Sequence, residues 1–213
     1  MLGSMGFLAN SALAIGATGV GSLTYGLVEA QAFKVRELDL ALLPAGSESI
    51  RVLHISDLHI TPAQTRKINW VKSLAKLEPD FVVGTGDFLA HQLAVPAAIE
   101  AMDELLDIPG AFVLGSNDYF APTFKNPFTY FKKNREIKVK GTALPTSDLV
   151  EELTDAGWLD LNNKQGLAEV NGVKIHFRGT DDPHINKDEY SAVAGTFESG
   201  AFAFGVTHAP YKR

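Results

Sequence analysis

Apolar positions in this chain come in short runs, and the spacing inside the runs changes along the sequence. Ile50 to Ser56, Phe81 to Val83 and Ala111 to Leu114 are apolar and rich in β-branched residues, the pattern of buried strands. Between them the period lengthens to that of a helix. Ile68, Val71, Leu74, Ala75 and Leu77 form one stripe, ended by Pro79, and Ile99, Met102 and Leu106 form another, ended by Pro109-Gly110. Asp148 and Glu151 have capping-box spacing and predict a short helix that Gly157 closes. The pattern then alternates. Val170-Asn171-Gly172-Val173 is a hairpin signal between two strands, and Ala201 to Thr207 is a further apolar strand. Strand-helix units first and strands later predict an α/β sandwich over 49–213.

Residues 1–29 differ from everything that follows. The first charge is Glu29, and Phe7 to Leu27 would span about 31 Å as a helix, close to the hydrocarbon thickness of a bilayer. The expectation is a membrane anchor, followed by a strand-like connector over 30–48 with a turn at Pro44-Ala45-Gly46. Two alternatives stay open: a cleaved signal, for which Ala30-Gln31-Ala32 resembles a processing site, and a helix packed on the protein, since Gly16, Gly19 and Gly21 dilute its apolarity. Lys34 and Arg36 follow the segment and no basic residue precedes it. This favours a cytoplasmic catalytic domain on the cell membrane, with the side still open.

At 213 residues and 46% hydrophobic, the chain can bury one domain's core and carry an appendage. It has no cysteine, which excludes disulfides and Cys-based zinc sites. A net charge of −6 argues against general nucleic-acid binding, and none is expected. The charge is uneven. Tyr119 to Thr146 holds six basic residues (Lys125, Lys132, Lys133, Arg135, Lys138, Lys140) against Glu136, a local +5 that leaves −11 elsewhere. Tyr119, Phe120, Phe124, Phe128, Tyr130 and Phe131 interleave with them. Such a segment either covers a site for an anionic, partly apolar substrate such as a lipid phosphate, or packs its aromatics on the core.

The predicted strands end in metal-binding side chains. Asp57-Leu58-His59, Gly84-Thr85-Gly86-Asp87 and Gly115-Ser116-Asn117-Asp118 each follow an apolar run, so three strands deliver Asp, His and Asn to one sheet edge. In an extended segment Asp57 and His59 would lie on one side. Carboxylate, imidazole and amide oxygen together suit Mn²⁺, Fe²⁺ or Zn²⁺ and point to a metal-dependent hydrolase. Other enzyme classes fail on spacing. The third glycine of a dinucleotide fingerprint would fall at Leu89, and no Gly-x-Ser-x-Gly elbow occurs. His54 reads as a core histidine of its strand, and His91 and His176 carry no motif.

Asp-x-His, then Gly-Asp about thirty residues on, then a Gly-Asn-His-Asp-like turn, then His208 after an apolar strand, resembles the calcineurin-like metallophosphoesterases. The similarity runs from Ile50 to Arg213. The Gly115 turn and Gly179-Thr180-Asp181-Asp182-Pro183-His184 look most like a membrane-associated bacterial phosphodiesterase branch. The resemblance implies a two-sheet α/β/β/α sandwich flanked by helices and two divalent metal ions, Mn, Fe or Zn. Asp57 and His59 would hold one metal, Asp87 would bridge both, and Asn117 and His208 would serve the second. It also implies hydrolysis of a phosphodiester or phosphomonoester by a metal-bridging hydroxide. A metal-binding or interaction module of the same fold without catalysis is the alternative.

Several positions depart from that pattern. A gapless match puts Ser116 in the amide-ligand slot and Asn117 in the slot of the catalytic histidine, so either Asn117 reaches the metal through a bulge or Ser116 and water replace it. Leaving-group protonation then falls to water, to His184, or to no group. Asp181, Asp182 and His184 either orient a ligand or the substrate, or form a polar turn. The family also finishes its site with Gly-His-x-His downstream. None of the six histidines has a partner at i+2, and five residues follow His208. The expectation is a domain incomplete at its C-terminus, with weak metal binding, little activity and an exposed apolar sheet edge.

Overall fold

A computed structural model of the chain describes residues 2–123 and 141–210. It divides into two compact units, Met1–Ala41 and Leu42–Arg213. The first carries helix α1, Leu2–Glu29. Among the described residues, no helix is long and apolar enough to cross a membrane. The expected helix over 7–27 forms within α1, but the expected transmembrane span is not borne out among the described residues. In 30–48 the turn forms, with Ser47 N–H donating to Pro44 O at 3.1 Å, but no strand does.

The second unit begins with a parallel sheet. Strands β1 (Val52–Ile55), β2 (Phe81–Gly84), β3 (Gly110–Phe112) and β4 (Leu159–Asp160) lie in that order, all parallel, with Val83 opposite His54 and Ala111. Helices α2 (Thr65–Lys72) and α3 (Val95–Leu106) connect the first three strands. After the short α4 (Ser116–Tyr119), α5 (Thr146–Asp155) leads into β4. The second sheet is the hairpin β5 (Gln165–Val170) and β6 (Val173–Thr180), with β7 (Phe202–Thr207) parallel to β6 on its other side. A four-residue helix, α6 (Tyr190–Val193), packs on β6.

Strand β2 shows why two layers form. Its residues are all buried, so each face of the sheet needs a cover. Val82 faces a core with Ile68, Val71, Met102, Leu105, Leu149 and Leu153 from the helices. Phe81 and Val83 face the second sheet through Leu161, Val170, Ile175, Phe177 and Val206. Phe81 and Phe177 stack across that gap with centroids 4.9 Å apart. This is the two-sheet sandwich with flanking helices that the sequence implied.

Two local expectations need correction, and a third falls largely outside the described residues. Helix α5 starts at Thr146, ahead of the proposed cap; its N-cap Pro145 has no side chain to cap with, and Thr146 Oγ1 donates instead to Asp118 O at 2.7 Å. His54 is exposed, because β1 is an edge strand and His54 points away from the helices. Its Nε2 meets Thr85 Oγ1 at 2.8 Å. Of the basic, aromatic segment, 124–140 lie outside the described residues; its flanks meet where Phe120 bridges Ala143.

Candidate metal centre

The carboxyl ends of β1, β2 and β3 open into three loops that hydrogen-bond as one body. Asp57 N–H donates to Gly86 O at 3.0 Å, His59 N–H to Asp87 O at 2.9 Å and Ile60 N–H to Phe88 O at 2.8 Å, so the first two loops continue side by side past the strands. Asp57 (φ 54°), His59 (φ 44°) and Asp87 (φ 56°) are all left-handed. The first pair is thus not brought together by an extended segment, as expected. The strand ends at Ile55, and the left-handed curl sets Asp57 Oδ1 3.8 Å from His59 Nε2. Non-glycine residues adopt this conformation at a cost of about 1–3 kcal/mol, and it clusters at functional sites.

Asp118 joins the second loop to the third. It is fully buried and accepts four backbone N–H bonds: from Asp87 (2.8 Å) and Gly115 (2.9 Å) at Oδ2, and from Phe88 (2.7 Å) and Leu89 (3.1 Å) at Oδ1. Burial pushes its pKa up to about 7, with Asp87 adding to the rise and the N–H donors opposing it. Gly86 is required where the loops touch, because it has φ +85° and a Cβ there would strike Gly115 N and Leu114 C. Gly115 is small for a related reason: its Cβ would meet Asp87 Oδ1 and His208 Cε1.

Asp87 stands at the centre. Its Oδ2 lies 3.6 Å from His59 Nε2 and 3.7 Å from His208 Nε2, placing one carboxylate oxygen between two imidazoles from opposite sheets. Asn117 approaches from the third loop, its backbone N–H donating to Asp87 Oδ1 at 2.8 Å and its side-chain amide to Oδ2 at 2.6 Å. Of the two alternatives at this loop, Asn117 is the one whose side chain reaches Asp87. His208 hydrogen-bonds Thr85 O through Nδ1 at 2.6 Å, which puts the proton on that nitrogen and leaves the Nε2 lone pair facing Asp87. Burial opposes protonation of His208, but the Thr85 carbonyl and the carboxylates of Asp87, Asp182 and Asp57 outweigh it and raise its pKa.

Two groups could each hold a cation: Asp57, His59 and Asp87, and Asp182, His184 and His208, the donor atoms of each lying within 4.8 Å of one another. The donors fit divalent ions. The field at His208 is negative, and among the described residues Asp57 and Asp87 form ion pairs with imidazoles alone. The buried His59 Nδ1 has no hydrogen-bond partner. Asp181, in contrast, turns away and accepts the Tyr119 hydroxyl at 2.6 Å, which raises the Tyr119 pKa together with burial. Sequence reasoning overlooked Asp118 and Tyr119; the carboxylate closing the Gly115 turn was the available signal. His176 is structural, bonded to Gln165 Oε1 and to the backbone N–H of Glu198.

The profile of the calcineurin-like phosphoesterase domain matches residues 50–210. The chain belongs to this family. This calcineurin-like domain is also 25% identical, over 147 residues, to a Bos taurus protein described as a transmembrane protein with metallophosphoesterase domain. That match covers 67% of this chain and 32% of the relative, so the chain spans about a third of the bovine protein's length. Among solved structures, the phosphopantetheinyl hydrolase of Mycobacterium tuberculosis is similar at 18% identity and a TM-score of 0.37, covering 60% of this chain and 41% of that one.

Proposed function

We propose that this calcineurin-like domain hydrolyses phosphoesters, diesters or monoesters, at a centre of two divalent cations. The observation that carries the reading is Asp87 Oδ2 standing between His59 Nε2 and His208 Nε2 at nearly equal distances. Asp57 and His59 would hold one cation and His208 the other, with Asp87 shared. Bound there, the cations lower the pKa of water and polarise phosphoryl oxygens.

The protein's own groups set the geometry. Asn117 orients Asp87 through two hydrogen bonds, Thr85 fixes the His208 tautomer, and Asp118 holds the second and third loops in register. Asn117 has no proton to give at neutral pH, so the third loop supplies no general acid. Substrates whose leaving group departs without protonation are favoured.

Membrane association belongs to the same reading. It is supported by α1, which carries no charge before its last residue Glu29 and whose Val20, Leu23, Leu27 and Val28 are exposed, and by the bovine relative's description.

Hydrolysis of bis(p-nitrophenyl) phosphate by the full chain with Mn²⁺, abolished by chelation and restored by added metal, is the expected result. Cation binding without hydrolysis of any mono- or diester would favour the non-catalytic module.

A further inference from the structure

The turn after β6 carries a carboxylate that the reading above leaves unused. Asp182 is 0% exposed. Its Oδ1 accepts the backbone N–H of His184 at 2.8 Å and lies 3.0 Å from His184 Nδ1, while its Oδ2 has no hydrogen-bond partner among the described residues. A carboxylate that only capped the turn Pro183–Ile185 would need one oxygen and would not bury the other. The buried oxygen calls for a positive partner. His208 arrives from the end of β7, and its ring stands 6.1 Å from that of His184, at 69°.

We propose that Asp182, His184 and His208 form a divalent-cation site, the second of the centre. One carboxylate oxygen and one nitrogen from each ring already lie within 4.8 Å of one another. One carboxylate and two imidazoles are a donor set suited to Fe²⁺, Zn²⁺ or Mn²⁺. His184 is then a ligand and not a proton donor, and Asp182 adds a second carboxylate to the shared Asp87 on the His208 side of the centre. The inference rests on the cluster around Asp87 being a metal centre. It adds two residues to it, from the turn after β6 rather than from the parallel-strand loops.

The test is Co²⁺ binding to the full chain by calorimetry, with stoichiometry checked by elemental analysis. His184→Ala and the bulkier His184→Gln should each bind one fewer Co²⁺ than wild type and keep the site that His59→Ala removes. The His184 side chain is partly exposed, and neither change should alter the circular dichroism spectrum. Asp182→Asn should weaken the same cation by about 10–100-fold. Wild-type stoichiometry and affinity in both His184 variants, with one Co²⁺ lost in His59→Ala, would overturn this inference and leave the metal-centre reading standing. A wild-type chain that binds no Co²⁺ would overturn both.

Discussion

The two donor groups around Asp87 are built in opposite ways. Asp57, His59 and Asp87 sit on loops that extend a parallel sheet, in left-handed conformations locked by backbone hydrogen bonds and by Asp118. Asp182, His184 and His208 come from the ends of β6 and β7, and there the anchoring is by side chains: His184 on Asp182, and His208 on Thr85 O. One group is set by the path of the main chain. The other depends on the second sheet docking against the first. The backbone-set group should therefore survive substitutions that loosen the other, while only Asp87 should couple them.

The largest effect should come from Asp87→Asn. It removes the charge that both groups face, so cation stoichiometry should fall at both sites and phosphodiesterase activity by at least about 100-fold. Loss of a single cation would show that Asp87 belongs to one group alone.

Next in size is Asp118→Ala, which strands four backbone N–H groups in the interior and should destabilise the fold by at least about 3 kcal/mol. Urea denaturation measures it, and an unchanged midpoint would mean that the loops hold without their anchor. Gly86→Ala should cost about 1–3 kcal/mol, from the left-handed backbone and the collision with Gly115. It should weaken the Asp57–His59–Asp87 cation more than the other; equal weakening in a Co²⁺ titration would contradict the contrast.

Smallest is Tyr119→Phe. It removes one donor to Asp181 beside the second group and should cost about 1 kcal/mol of stability, leaving the first group's affinity unchanged.

The contrast also explains what the sequence revealed. Asp57, His59 and Asp87 were legible because apolar strands end at them, and strand ends are marked locally by composition. His208 was legible for the same reason, at the end of β7. The turn carrying Asp182 and His184 stayed ambiguous, since its meaning depends on β6 and β7 lying parallel, which no local pattern encodes. Burial misled at His54 for an equivalent cause: alternation predicts which face a residue takes, not whether a second sheet covers that face. The two-residue β4 was too short for any periodicity, and Asp118 went unassigned because its role as a clasp rests on four main-chain donors, three of them from the second loop.

That clasp has a consequence for engineering. Because Asp118 receives main-chain N–H groups from both sides, the spacing between the second and third loops does not depend on which side chains stand at positions 57 and 59. Metal preference could be retuned at those positions by library selection, with the scaffold held constant. Transplanting the loops to another framework would fail unless Asp118, Gly86 and Gly115 travelled together as a single cassette.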